Sequence, residues 1–90
     1  MAIIKFTSAL KRFHPTLGDT EIEVEKVSEV LVELEKTYPG INSYLIDETG
    51  ALRKHVNIFV DGTLIEDREK LSDALAKGSE VFIMQALSGG

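Results

Sequence analysis

An α+β fold, with one main helix packed across a mixed sheet, is predicted by three features of this 90-residue chain. Strand-like segments lie at both ends, a single stretch between them has helical periodicity, and an Asp61-Gly62 dipeptide splits the second strand-rich half into a hairpin. Neither half can bury its apolar side alone, so the helix must lie against one face of a shared sheet. Ninety residues serve one core, here residues 1–87, with 88–90 left as a flexible tail.

The opening run Ala2-Ile3-Ile4-Lys5-Phe6-Thr7 is short and rich in strand formers, with Ile4 and Phe6 sharing the inner face. A polar stretch containing His14-Pro15 and Gly18-Asp19 follows, too long for a tight turn. Thr20 to Glu25 then alternates strictly, which predicts a half-buried strand pointing Ile22 and Val24 inward. From Val27 the period changes. Val27, Val30, Leu31, Leu34 and Tyr38 form one helical stripe, Glu29, Glu33 and Lys36 face solvent, and Pro39-Gly40 stops the helix. Asn42 to Ile46 supplies another helical turn before the polar loop Asp47 to Gly50. His55 to Val60 is a strand, Asp61-Gly62 its tight turn, and Thr63 to Ile65 the return strand. Ser72 is expected to cap a single turn through Ala76, and Gly78 to reverse the chain. Glu80 to Leu87 is the last strand, with Val81, Ile83, Gln85 and Leu87 on one face and Phe82, Met84 and Ala86 on the other. The connection from the second strand through the helix to the third has room for a crossover, so the sheet is expected to be mixed. This is a β-grasp layout.

Composition removes several classes of function. Fifteen acidic against ten basic residues give a net charge of -5, which argues against a nucleic-acid backbone as partner and permits a basic protein. With no cysteine there is no disulfide framework, thiolate metal site or thiol nucleophile. No apolar run approaches the roughly 18 residues of a membrane span, and Lys5 interrupts any signal-peptide core, so a soluble cytoplasmic protein, monomeric when free, is expected. His14 and His55 lack ligand-like spacing to carboxylates, and no metal site is expected. Asp47-Glu48 and Glu66-Asp67 lie in predicted loops with no pocket-forming neighbours, which disfavours acid-base catalysis.

Gly89-Gly90 has no packing role and carries a large ordering cost, so structure alone gives no reason for it. A frayed tail or residual linker is the plain account. A chemical account is a terminal carboxylate that threads a narrow channel: extended, the four residues from Leu87 to Gly90 span roughly 13 to 14 Å.

With this tail behind a β-grasp pattern, the chain resembles the ThiS/MoaD-type sulfur carriers, ubiquitin-like proteins ending in Gly-Gly. The resemblance runs from Ile3 to Gly90 and rests on Ala9-Leu10-Lys11-Arg12, Leu34-Glu35, Tyr38-Pro39-Gly40, Leu52 to Gly62, and Leu75 to Val81. Leu52 to Gly62 is most similar to the subgroup serving cysteine or homocysteine biosynthesis or thiocarboxylate siderophores. The resemblance implies a carrier, not an enzyme. An E1-like enzyme using ATP and Mg would adenylate Gly90, a sulfur donor would displace AMP, and a biosynthetic enzyme would accept the sulfur. Leu87, Ser88 and Gly89 would form the tail that enters the activating enzyme. The chain itself would hold no cofactor. It departs from its relatives at Gln85, often proline, and at Ser88, often alanine.

The outward sheet face is the expected partner surface. Phe82 and Met84 project away from Val81 and Ile83, and Leu64 lies on the return strand, so the three would form an apolar patch beside the tail. In the resembling family, the positions of Leu64 and Met84 meet the activating enzyme. The competing account makes Phe82 and Met84 a second core layer under a loop. Lys11, Arg12, Arg53 and Lys54 would form a small basic patch or a solvated set of charges. Two other functions share these features: a protein modifier forming isopeptide bonds to lysines, and a noncovalent ubiquitin-like interaction domain.

Overall fold

The first and last strands of the chain pair with each other at the centre of the sheet. In the computed structural model, which describes residues 2–7 and 18–85, five strands run in the order β2-β1-β5-β3-β4. They are β1 (Ala2–Phe6), β2 (Thr20–Ile22), β3 (Val56–Val60), β4 (Thr63–Leu64) and β5 (Glu80–Gln85). β1 and β5 are parallel, with Ile4 opposite Val81 and Phe6 opposite Ile83, while every other pairing is antiparallel.

Period-2 alternation sends Ala2, Ile4 and Phe6 of β1, Val56 and Ile58 of β3, and Val81 and Ile83 of β5 to one buried face. Against it lies α1 (Val27–Thr37), whose Val27, Val30, Leu31 and Leu34 are buried as the predicted stripe requires. Tyr38 follows as the C-cap and meets the Phe6 ring edge-on, with centroids 6.4 Å apart. The short α2 (Asn42–Leu45) adds Leu45 to the same core, which Ile41, Leu52, Ile65 and Leu71 complete. Glu35 joins the two helices, its carboxylate accepting the N–H groups of Gly40 at 2.6 Å and Asn42 at 3.1 Å.

The sheet is mixed as expected, but its parallel pair is β1 with β5. β2 and β3 lie on opposite sides of that pair and do not meet. Composition explains the placement. β5 carries apolar residues on both faces and suits a central position, whereas β2 is short and followed by Glu23 and Glu25, which suits an edge. β2 also stops at Ile22 rather than Glu25, because Ile22 pairs with Ala2, where β1 begins. Val24 still packs against the core beyond the ladder.

Ser72 does not cap a turn. The chain from Leu71 to Leu75 runs irregularly beside the N-terminus of α1, where the N–H groups of Val27 and Ser28 donate to the carbonyls of Asp73 and Leu71 at 3.1 and 2.9 Å. A helical turn at 72–76 would withdraw that run from the position in which it satisfies these two orphan donors of α1. The capping residue is Asp67, five positions earlier, whose carboxylate accepts the N–H groups of Glu69, Lys70 and Ser72 and the Ser72 hydroxyl. The predicted Asp61-Gly62 hairpin is present, with φ of 51° and 84° at the two residues and Val60 paired to Thr63.

No helix among the described residues is long and apolar enough to cross a membrane. Residues 8–17 and 86–90 lie outside the described set, and with them Lys11, Arg12, His14, Leu87, Ser88, Gly89 and Gly90.

Candidate functional site

Strand register assembles the outward face of the sheet. The two-residue turn at Asp61-Gly62 sets Phe59 opposite Leu64, and the β3–β5 ladder sets the same Phe59 opposite Phe82. Phe82 stands opposite Lys5 across the parallel pair, so one row runs Leu64, Phe59, Phe82, Lys5 over four strands. Met84 follows Phe82 by two residues, on the same face and one step closer to the tail, and pairs with Asn57.

Leu64 is 45% exposed, and Phe59, Phe82 and Met84 are half-buried. Among the described elements none covers this face, since both helices contribute to the core on the other side. The three residues picked out from the sequence, Leu64, Phe82 and Met84, are therefore brought together, with Phe59 at the centre of the group. Phe59 was missed although its signal was present: a two-residue Asp-Gly turn dictates that the second residue before it pairs with the second after it.

Polar groups rim the patch. Lys5 and Glu80 form an ion pair at 3.4 Å across β1 and β5, so that charge on this edge is neutralised within the chain. On the tail side, Arg68 reaches under the start of β3 and donates to Asn57 Oδ1 at 3.1 Å and to the carbonyls of Arg53 and Val56 at 2.6 and 2.9 Å. Arg53 turns away, its Nε donating to the Ser43 carbonyl, while Lys54 and His55 are exposed. Of the basic set Lys11, Arg12, Arg53 and Lys54, Arg53 is engaged in structure and Lys54 is exposed, while Lys11 and Arg12 lie outside the described residues.

At the exit of β5, Gln85 is buried on the inner face. Its N–H donates to Thr7 Oγ1 at 3.4 Å, a bond that proline could not make, and its side-chain Oε1 has no hydrogen-bond partner among the described residues.

Asp67 is held down to about 2 by the Ser72 hydroxyl and the N–H groups of its own turn, and Asp47 is lowered first by the Thr49 hydroxyl. Carboxylates stabilised as anions are poor proton donors near neutral pH. Among the described residues no three His, Cys, Asp or Glu side chains converge as a metal site. One open groove on the helix side is lined by Val24, Val32 and the acids Glu23, Glu25, Glu29 and Glu33, with no histidine, hydroxyl or cation beside the carboxylates.

A five-stranded mixed sheet grasping one main helix, with an apolar outer face beside the C-terminal exit, defines a ubiquitin-like β-grasp protein. The chain belongs to the ThiS family, whose model matches residues 4–90. It is a protein carrier and not a catalyst. It is 36% identical over 63 residues to the sulfur carrier protein CysO of Mycobacterium tuberculosis, covering 68% of each chain. The crystal structure of that CysO matches with a TM-score of 0.80 at 25% identity, over 96% of this chain and 99% of the other. A chain of the Amycolatopsis orientalis BexX/CysO complex gives 0.83 at 19% identity, covering both chains fully. The small archaeal modifier protein 1 of Methanosarcina acetivorans gives 0.78 at 25% identity, over 99% of this chain and 95% of the other.

Proposed function

We propose that this protein carries sulfur as a thiocarboxylate on Gly90. The observation that supports the reading most is the pairing of ThiS-family membership over residues 4–90 with a terminal Gly89-Gly90. An E1-like enzyme transfers AMP from ATP, with Mg, to the Gly90 carboxylate and releases pyrophosphate. The sulfur donor then attacks the activated carbonyl carbon, the carbon–oxygen bond to AMP breaks, and the C-terminus becomes a thiocarboxylate. Adenylation turns a poor electrophile into a good one, and the chain contributes reach in place of catalytic groups. Leu87, Ser88 and Gly89 form the thin segment that enters the enzyme.

Leu64, Phe59, Phe82 and Met84 are the docking patch. The parallel β1–β5 pair fixes the strand from which the tail leaves, so docking this face sets where Gly90 arrives. The sulfur passes to a biosynthetic enzyme for cysteine, homocysteine or a sulfur-containing cofactor or metabolite, in the cytoplasm.

Incubation with the E1-like enzyme of the same cell, MgATP and a sulfur donor is expected to add the mass difference between sulfur and oxygen to the intact chain, localised to Gly90. The likeness to a small archaeal modifier protein favours one other outcome, amide links from Gly90 to lysines. If the carboxylate forms an adenylate but only such links follow, the modifier reading replaces the carrier. If the carboxylate is never activated, a noncovalent ubiquitin-like domain is the better account.

A further inference from the structure

The guanidinium of Arg68 is half-buried and engages three acceptors, the carbonyls of Arg53 and Val56 and the amide oxygen of Asn57, all of them uncharged. The ion pairs among the described residues are Lys5–Glu80 and Lys36–Glu33, so no described carboxylate neutralises Arg68. A planar guanidinium carries five N–H donors, which leaves its Nε–H and one Nη1–H without an acceptor among the described residues. Asn57 is oriented by the same contact. Its Oδ1 faces a group that can only donate, so its Nδ2 is the free end, and no described acceptor takes it.

Position gives these donors meaning. Asn57 is the cross-strand neighbour of Met84 on the outer face, and the adjacent pair, Val56 with Gln85, is the last described rung before the tail. A cationic fork and an aligned amide thus stand at the tail-side rim of the apolar patch, on a chain whose net charge is -5. At the opposite rim the Lys5–Glu80 pair has already cancelled its charge.

We propose that Asn57 and Arg68 form the polar anchor of the docking face and receive a carboxylate side chain of the partner protein, set beside the partner's own apolar surface. The anchor rests on the reading that this face docks the activating enzyme. Phe59, Leu64, Phe82 and Met84 supply contact area, while the anchor sets the angle of approach, because a carboxylate bound by two neighbouring donor groups has little freedom to rotate.

Asn57→Asp separates this role from a structural one. The new carboxylate keeps the bond to Arg68 and neutralises it within the chain, so the fold is retained with an unchanged or raised melting temperature. It also presents an anion to the partner's carboxylate. Binding to the E1-like enzyme that activates the wild-type chain is expected to weaken by about tenfold or more, with a shallower salt dependence. Binding within twofold of wild type, at the same salt dependence, overturns the anchor.

A second measurement does not depend on any activating enzyme. A glutamate-rich octapeptide titrated into the wild-type protein is expected to move the Asn57 side-chain N–H₂ and Arg68 Nε–H resonances saturably, and a lysine-rich peptide of equal length to leave them in place. Silence of both resonances toward the acidic peptide also overturns the anchor. Failure of Gly90 activation beside a positive titration would instead overturn the carrier reading while Asn57 and Arg68 stood as a carboxylate-binding pair for another partner.

Discussion

Asp67 shows how one side chain can hold a segment that sequence periodicity describes poorly. Its carboxylate collects three backbone N–H groups and a hydroxyl, and its ionised form is favoured down to about 2. The folded pKa is thus depressed below the unfolded value of about 3.9. The stability Asp67 contributes is present above the unfolded pKa and is lost as pH falls through about 2. Acid unfolding of wild type should therefore show a component between about pH 4 and 2 that Asp67→Asn lacks, read by circular dichroism against pH. Gln85 presents the opposite case, a buried amide whose Oε1 finds no partner among the described residues. Leaving such an acceptor unpaired costs about 1 to 3 kcal/mol, so Gln85→Met, similar in length, should leave stability unchanged or raise it by up to about 1 kcal/mol in urea denaturation. A large loss would show that the amide does more than fill space.

Elements with strong periodicity were legible in the sequence because their pattern and their tertiary role agree. The stripe Val27, Val30, Leu31, Leu34 is buried in full, and Leu34→Ala should cost about 2 to 5 kcal/mol as a cavity mutation, measured by denaturant titration. The Asp61-Gly62 turn was equally readable, and its register already implied Phe59 beside Leu64. What periodicity does not express was misplaced. The Ser72 cap failed because carbonyls of residues 71 and 73 are taken up by the first turn of α1, a demand set by N–H groups more than forty residues away. Arg68 was invisible for the same reason, since its acceptors lie eleven to fifteen residues upstream, at the start of β3 and in the turn before it, and no local pattern links them to residue 68. β5 tests the two-faced reading directly. Ile83 is fully buried and Met84 only half-buried, so Ile83→Asp should unfold the domain, while Met84→Asp should cost about 1 kcal/mol and act chiefly on docking. Equal damage from the two would place Met84 in a second core layer.

At the scale of the molecule, folding and the proposed chemistry are assigned to separate parts of the chain. Among the described residues the core runs from Ala2 to Ile83, while the reacting group of the proposed cycle is Gly90. If a terminal carboxylate must enter a narrow channel as an extended strand, its length, its end and its bulk each become requirements that the fold does not share. Deleting Gly90 shortens the reach by one residue, about 3.3 to 3.6 Å, and adding a residue after it moves the carboxylate by a similar distance. Both changes should abolish the sulfur-for-oxygen mass gain while the melting temperature stays within a degree or two, because neither touches the buried cluster. Gly89→Val should fail by a different route: the carboxylate stays in register, but a β-branched side chain restricts the backbone and widens the chain. Gly89→Ala adds bulk without branching and should retain part of the activity. A graded series of Gly, Ala and Val at residue 89, read by intact mass at fixed enzyme, therefore reports channel width. Equal conversion across the series would rule out a narrow channel and remove the reason offered here for two glycines at the terminus.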